Sequence, residues 1–241
     1  MTYGAKFENT AGEMLLIDVG VAPWFVGKGV PGDPIGWTTP TGLGWDVNGV
    51  TFAVPGAGRR LIAVTLPVNS GDAWYSTTAL IPGSGVVVQI YRPTGSGAGF
   101  ITPEVYAFAI GTRPPASSGY GMRIRDAANL IVMDTGSPPL GVQQVVATSA
   151  GVAPITLAGL PGKPAFILFD LAKEVGQTIA GTFSRDVWYY QCAFKRASDS
   201  SLEAGYKPVY QYVQDAGGTY TDFYGSTSSQ AIPIINAANY D

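Results

Sequence analysis

Tyr3-Gly4-Ala5-Lys6-Phe7-Glu8-Asn9-Thr10-Ala11-Gly12-Glu13-Met14-Leu15-Leu16-Ile17-Asp18 returns in altered form as Tyr120-Gly121-Met122-Arg123-Ile124-Arg125-Asp126-Ala127-Ala128-Asn129-Leu130-Ile131-Val132-Met133-Asp134. Each stretch opens with Tyr-Gly, then a small or apolar residue, a basic one (Lys6, Arg123) and an apolar one. Each then runs through a polar turn into an apolar segment closed by Asp, once one residue is deleted after the second turn. Asn9 to Gly12 and Asp126 to Asn129 are residue types that tolerate the left-handed backbone of tight turns, so both stretches predict a β-hairpin.

Weaker echoes follow in the same order. Phe52-Ala53-Val54-Pro55-Gly56 precedes a strand at Leu61, and Leu157-Ala158-Gly159-Leu160-Pro161-Gly162 precedes one at Phe166. Asp72-Ala73-Trp74-Tyr75 resembles Asp186-Val187-Trp188-Tyr189. Ordered matches of this kind indicate duplication of a module of about 115 residues. The expected units are residues 1–115, with a Trp-bearing loop over 21–50, and residues 116–241. Their boundary falls in the turn-rich Gly111-Thr112-Arg113-Pro114-Pro115-Ala116-Ser117-Ser118-Gly119.

Between these landmarks, 32 glycines and 18 prolines punctuate short runs rich in Val, Ile, Tyr, Phe and Trp. Such runs are Arg60 to Pro67, Ala73 to Ile81, Gly85 to Tyr91 and Glu104 to Ile110. Later ones are Ala165 to Phe169, Asp186 to Phe194, Pro208 to Val213 and Ala231 to Ile235. Strand-length segments bounded by turn residues predict an all-β chain of two related antiparallel, sandwich-like domains with long Gly/Pro-rich loops. Glu104 to Ile110 alternates as a half-buried strand would. Helical periodicity is nearly absent. The best candidate, Asp170 to Val175, is closed by Gly176 after one or two turns, too little for parallel βαβ crossovers.

Charged residues are only 13% of the chain against 46% apolar, which predicts a weakly charged exterior, either partly covered by other subunits or that of a monomer with a Ser-, Thr- and Gly-rich surface. The net charge of −3 and the lack of a basic run argue against nucleic acid. No apolar stretch approaches the roughly 18 residues of a membrane span. The N-terminal Met1-Thr2-Tyr3-Gly4 lacks a signal-peptide pattern, so folding in a cytoplasm is expected. The single cysteine, Cys192, lies in an apolar, aromatic run and is expected to be a buried, inert thiol.

With no histidine in the chain, Ser-His-Asp, Cys-His and most zinc constellations are excluded. No cofactor, metal or catalytic residue is expected. Gly27-Lys28-Gly29-Val30-Pro31-Gly32 fits the dinucleotide pattern G-x-G-x-x-G, but Pro31, Pro34 and Pro40 forbid the helix that pattern requires, so a loop is expected. Asp18, Asp33, Asp46, Asp72 and Glu104 are scattered carboxylates from which a glycosidase pair could be drawn, and no enzymatic role is expected of them. Trp24, Trp37 and Trp45 are the candidate platforms for stacking on a glycan. Trp74 and Trp188, placed alike in the two repeats, suit a core.

The Tyr-Gly hairpin is similar to the start of many small tail-associated proteins of tailed bacteriophages. These often open with Met, a short residue, Tyr-Gly, an apolar/polar alternation, then Asn-x-x-Gly and a strand ending in Asp. Met1 to Glu13 and Tyr120 to Asp134 both carry this pattern, about thirty residues in all. The resemblance implies a virion structural protein, a tail-tip or fibre-like component. It would be mostly β, assembled in the host cytoplasm with other virion proteins and as a homo-oligomer, a trimer among the options. It brings no catalytic residues. A receptor module binding a host surface glycan and a capsid decoration protein are the alternatives.

Overall fold

Runs of β-branched and aromatic residues broken by Gly and Pro every few positions favour extended backbone. The computed structural model describes residues 5–8, 14–17, 23–40, 44–56, 58–68, 73–81, 85–97, 99–115, 121–147, 155–159, 162–167, 172–178, 184–198, 201–215 and 231–241. Before residue 116 the strands are β1 (Ala5–Glu8), β2 (Met14–Ile17), β3 (Trp24–Lys28), β4 (Val30–Pro34), β5 (Trp45–Ala53), β6 (Arg60–Thr65), β7 (Trp74–Ile81), β8 (Gly85–Pro93) and β9 (Val105–Ala109). After it come β10 (Arg123–Arg125), β11 (Ile131–Asp134), β12 (Val142–Ala147), β13 (Ile155–Ala158), β14 (Pro164–Ile167), β15 (Ala172–Thr178), β16 (Ser184–Ser198), β17 (Ser201–Asp215) and β18 (Ala231–Asn236). A 3-10 turn at Ala237–Tyr240 is the one helical element among the described residues. The protein is therefore all-β, and its ladders are antiparallel.

Both Tyr-Gly stretches form two-stranded hairpins, β1–β2 and β10–β11, and each precedes an edge strand of the same sheet. Their registers differ: Phe7 faces Leu15, whereas Ile124 faces Met133. Asn129 takes a positive φ of 62°, as the second turn requires. The turn at Asn9 to Gly12 lies outside the described residues.

The remaining strands make two sheets. One runs β12-β18-β14-β6-β9-β3, the other β13-β17-β16-β7-β8-β5-β4, with β15 added alongside β16. Each sheet takes one flank from residues before 116 and the other from residues after it. They join at β6–β14, where Thr65 faces Ala165, and at β7–β16, where Tyr75 faces Phe194. In the first sheet both outermost strands carry a bulge against their neighbour, β3 at Phe25/Gly27 and β12 at Val142/Gln144. The ends of that sheet also meet. Phe25 N donates to Pro138 O and Leu140 N to Pro23 O, and the 138–140 segment runs directly on into β12.

One buried cluster draws on both sheets: Val64, Val105, Phe166 and Ile234 from one, Phe52, Tyr75, Val88 and Phe194 from the other. Phe166 and Phe194 stack there with centroids 5.1 Å apart. A second cluster of Tyr106, Phe108, Ile167, Ile235 and Tyr240, with Phe25 and Leu140 against it, covers the alternate positions of β9 and β14. The β9 strand is therefore buried at all five positions, rather than half-buried as its alternation suggested, because the sheet packs on both faces.

Three other expectations are corrected. Asp170 to Val175 is not a helix: from Ala172 the chain is β15, paired over seven residues with β16, and Val175, Gly176 and Thr178 are poor helix formers. The 21–50 stretch holds β3, β4 and the start of β5 rather than one long loop. Within it, Gly27 to Gly32 spans the end of β3 and the start of β4.

Candidate functional site

Strand placement decides what the three candidate tryptophans can do. Trp24 lies in β3 of the six-stranded sheet, while Trp45 lies in β5 of the other. Trp37 precedes β5 on a segment bridged to it through Thr38 and Val47. Asn48 holds that segment: its side-chain oxygen accepts from Gly36 N at 3.0 Å and Gly49 N at 2.7 Å. All three rings are partly buried. Trp24 donates its indole N–H to Thr112 O at 3.0 Å, and Trp45 packs against the Trp74/Tyr91 cluster. The Arg92 guanidinium sits 3.8 Å from the Trp37 ring centroid and Phe100 meets that ring edge-on. The Trp37 ring thus serves intramolecular contacts, and the structure does not gather the three into one platform. Trp74 is buried beside the β7–β16 junction, whereas Trp188 lies six residues before Phe194, so their registers are not equivalent.

The carboxylates are likewise dispersed. Asp18 and Asp72 lie outside the described residues, and Asp33 stands on the exposed strand β4. Asp46, almost covered, is 3.1 Å from Arg92 Nε and accepts from the Thr39 hydroxyl at 2.8 Å. The Thr39 hydrogen bond, followed by Arg92, holds its carboxyl below the usual range despite burial.

Glu104 belongs to the densest polar cluster among the described residues. Lys163 Nζ lies 2.9 Å from Glu104 and 2.7 Å from Asp241, and Lys28 Nζ reaches Asp241 at 2.5 Å. The buried Tyr106 has its hydroxyl 2.5 Å from Glu104 Oε2 and 2.7 Å from Asp241 Oδ1; with one proton, it donates to one at a time. Burial, then the Glu104 acceptor, pushes the Tyr106 pKa up to about 12. Burial opposes the Glu104 charge, but Tyr106 and the two lysines outweigh it and its pKa falls. Both paired carboxylates are held as anions, the opposite of what a general acid needs near neutral pH. The cluster ties the ends of β3, β9, β14 and the final turn together.

The glycine pattern at 27–32 has a packing explanation. Gly27 occupies the β3 bulge with φ +153°, and a Cβ there would stand 2.8 Å from Pro55 Cγ. Gly56 answers it across the contact, since its Cβ would lie 2.8 Å from Val26 Cγ1. A Cβ on Gly29 would sit 3.2 Å from both Val105 and Val54. These glycines let β3 and the 54–56 turn approach closely.

The Asp that closes the second Tyr-Gly motif is buried. Asp134 accepts from Arg123 Nε at 2.6 Å across the hairpin and from Gly136 N at 2.8 Å. The motif's basic and acidic positions are therefore its own clasp. Asp18, the corresponding residue of the first motif, lies outside the described residues, as does the Cys192 side chain. Among the described residues no group of three or more His, Cys, Asp or Glu could hold a metal, and no helix is long and apolar enough to cross a membrane. Comparisons with protein-family models, curated proteins and solved structures gave no match.

Proposed function

We propose that this chain is a structural subunit of a tailed-phage virion, a tail-tip or fibre-associated component acting through protein–protein interfaces as a homo-oligomer. Its two halves are copies of one β-sandwich unit, fused edge to edge. The observation that carries the duplication is register. Arg60↔Ala109, Leu61↔Phe108 and Ile62↔Ala107 correspond in order to Pro164↔Asn236, Ala165↔Ile235 and Phe166↔Ile234. The same assignment of β9 to β18 sends Phe25↔Phe108 and Gly27↔Ala107 onto Val142↔Ile235 and Gln144↔Ile234, bulge included. The Tyr-Gly hairpin then stands at the head of each copy.

The virion reading draws its support from the hairpin resemblance and the sparse charge, together with polar groups that satisfy one another. Surface burial, rather than chemistry at a cleft, is what such a chain offers. Mass spectrometry of purified particles from a lysate of the encoding phage or prophage tests it. The chain is expected at a fixed copy number in tails separated from heads. Its absence from particles overturns the proposal, and enrichment with heads moves it to decoration.

A further inference from the structure

The seam where the ends of the six-stranded sheet meet is thin. Pro23, Trp24 and Phe25 form one side of it, and Pro138, Pro139 and Leu140 the other. Among the described residues two backbone hydrogen bonds cross it, Phe25 N to Pro138 O at 2.8 Å and Leu140 N to Pro23 O at 2.7 Å, on either side of a single bridge between Trp24 and Pro139. Pro23, Pro138 and Pro139 have no N–H to donate, so the seam cannot lengthen into a ladder at those positions. All six residues are half-buried. The other join between the halves of this sheet, β6–β14, is covered throughout, with Ala63, Val64 and Thr65 buried against Ala165, Phe166 and Ile167. A sheet held in this way opens first at its seam.

Ala237 to Asp241 lie across this seam. The turn leaves β18 with Ala237 N donating to Lys163 O at 2.8 Å and Asn236 capping Ala238 N. The Tyr240 hydroxyl accepts from Gly141 N at 2.8 Å and donates to Pro139 O at 2.9 Å, which holds one side of the seam. The buried Tyr240 ring meets Phe25 of the other side with centroids 5.3 Å apart, and Phe108 of β9 edge-on at 4.9 Å. Asp241 then fixes the turn to β3 through Lys28, at 2.5 Å, and to the start of β14 through Lys163, at 2.7 Å. The side chains of Lys28, Asp241 and Lys163 are 43%, 38% and 30% exposed, so dissolved salt screens these pairs. The turn thus has a buried part at Tyr240 that salt leaves alone, and a charged part at Asp241 that salt weakens.

We infer that Ala237 to Asp241 are a strap that gates the seam. When the strap lifts, β3 and the 138–140 segment part by local opening while β6–β14 stays paired, and ionic strength sets how often this happens. Opening bares two strand edges and the Phe25 and Leu140 side chains, which the closed sheet packs against its second cluster. The inference rests on the geometry of the seam and is independent of the virion reading.

The test is amide hydrogen exchange of the full chain, read by NMR at about 0.02 M and about 0.5 M sodium chloride, a range over which screening changes strongly. The amides of Phe25, Leu140 and Gly141 report the seam, and those of Val64 and Phe166 report β6–β14. In the wild type the seam amides should exchange at least about a hundredfold faster than the β6–β14 amides, after correction for intrinsic rates. Salt should raise that ratio about threefold or more. Tyr240→Phe keeps the ring and removes the hydroxyl, and should raise the ratio about tenfold at both salt concentrations. Asp241→Asn should raise it about threefold to tenfold at low salt and abolish most of its salt dependence. A turn that only stabilised the whole fold would speed seam and β6–β14 amides by one common factor, and that result overturns the inference. Seam amides as well protected as β6–β14, a wild-type ratio indifferent to salt, or a seam indifferent to both substitutions overturns it equally.

Discussion

Replacing Phe166 by alanine should unfold both halves of the chain together. Phe166 is fully buried on β14, faces Val64 of β6 and stacks on Phe194. A phenylalanine buries on the order of 200 Å². At about 25 cal/mol per Å² this is worth about 5 kcal/mol as an upper bound. Measured Phe→Ala losses of about 3–5 kcal/mol agree. Phe194→Ala should cost a similar amount. The double variant should fall short of the sum by about 1 kcal/mol, the coupling of a stacked pair. Four of the five tryptophans, Trp24, Trp37, Trp45 and Trp74, precede residue 116, so fluorescence reports mainly on the first half. Far-UV circular dichroism reports on the whole. If β6–β14 and β7–β16 bind the halves into one cooperative unit, urea denaturation by the two probes coincides in the wild type. Both curves then move together in Phe166→Ala, although the substitution lies in the second half. A fluorescence midpoint that stays in place while circular dichroism develops an early phase would refute the reasoning. Two independently stable halves would then be the correct description.

Gly27→Ala should cost about 1–3 kcal/mol, combining a strained backbone with the close approach of Pro55. Gly49→Ala meets the tip of the exposed Ile35 side chain and should stay within about 1 kcal/mol; urea midpoints compare the two, and equal losses would contradict the close-packing account. For Asp46 the folded-state pKa lies below its ordinary value of 3.8. The stabilisation from its ionised form is therefore complete above that value and lost as pH falls through the folded one. The stability gap between wild type and Asp46→Asn should be constant near neutrality and shrink below about pH 4, and a gap unchanged on acidification would rule this out.

The sequence made the element type legible, because alternating Val, Ile, Tyr and Phe between Gly and Pro leaves few options besides strands. All eight runs identified from composition overlap strands: β6 to β9, β14, β16, β17 and β18. The strands missed are those whose pairing comes from elsewhere. Val30 to Pro34 carries two prolines and is exposed throughout, and its strand character comes from lying along β5. Ala172 to Thr178 reads as helix or turn in isolation, and seven residues of pairing with β16 decide otherwise. The charge clusters were not legible at all. Lys28, Glu104, Lys163 and Asp241 are far apart in sequence, and nothing local signals that three strand ends and a final turn converge.

The same distinction bears on the proposed duplication, which rests on shared letters at the hairpins and on register alone in the sheets. A hairpin is specified by local chemistry: a left-handed turn residue, a basic residue, and a buried Asp that clasps it, as in Arg123 and Asp134. Those positions tolerate few substitutes, so the two Tyr-Gly stretches share letters although their strand registers differ. A buried strand is specified by apolar volume and period. Arg60–Thr65 and Pro164–Ile167 share no residue at matched positions, nor do Val105–Ala109 and the matching stretch of Ala231–Asn236, yet their pairings correspond. Packing against facing layers preserves register while side chains drift among Val, Ile, Phe and Ala. The proposed duplication therefore draws on hydrogen-bond register rather than on identity. The pairing of β15 with β16, and of β16 with β17 beyond Phe194, has no counterpart beside β7 and β8 among the described residues, and is where the proposed correspondence of the halves stops.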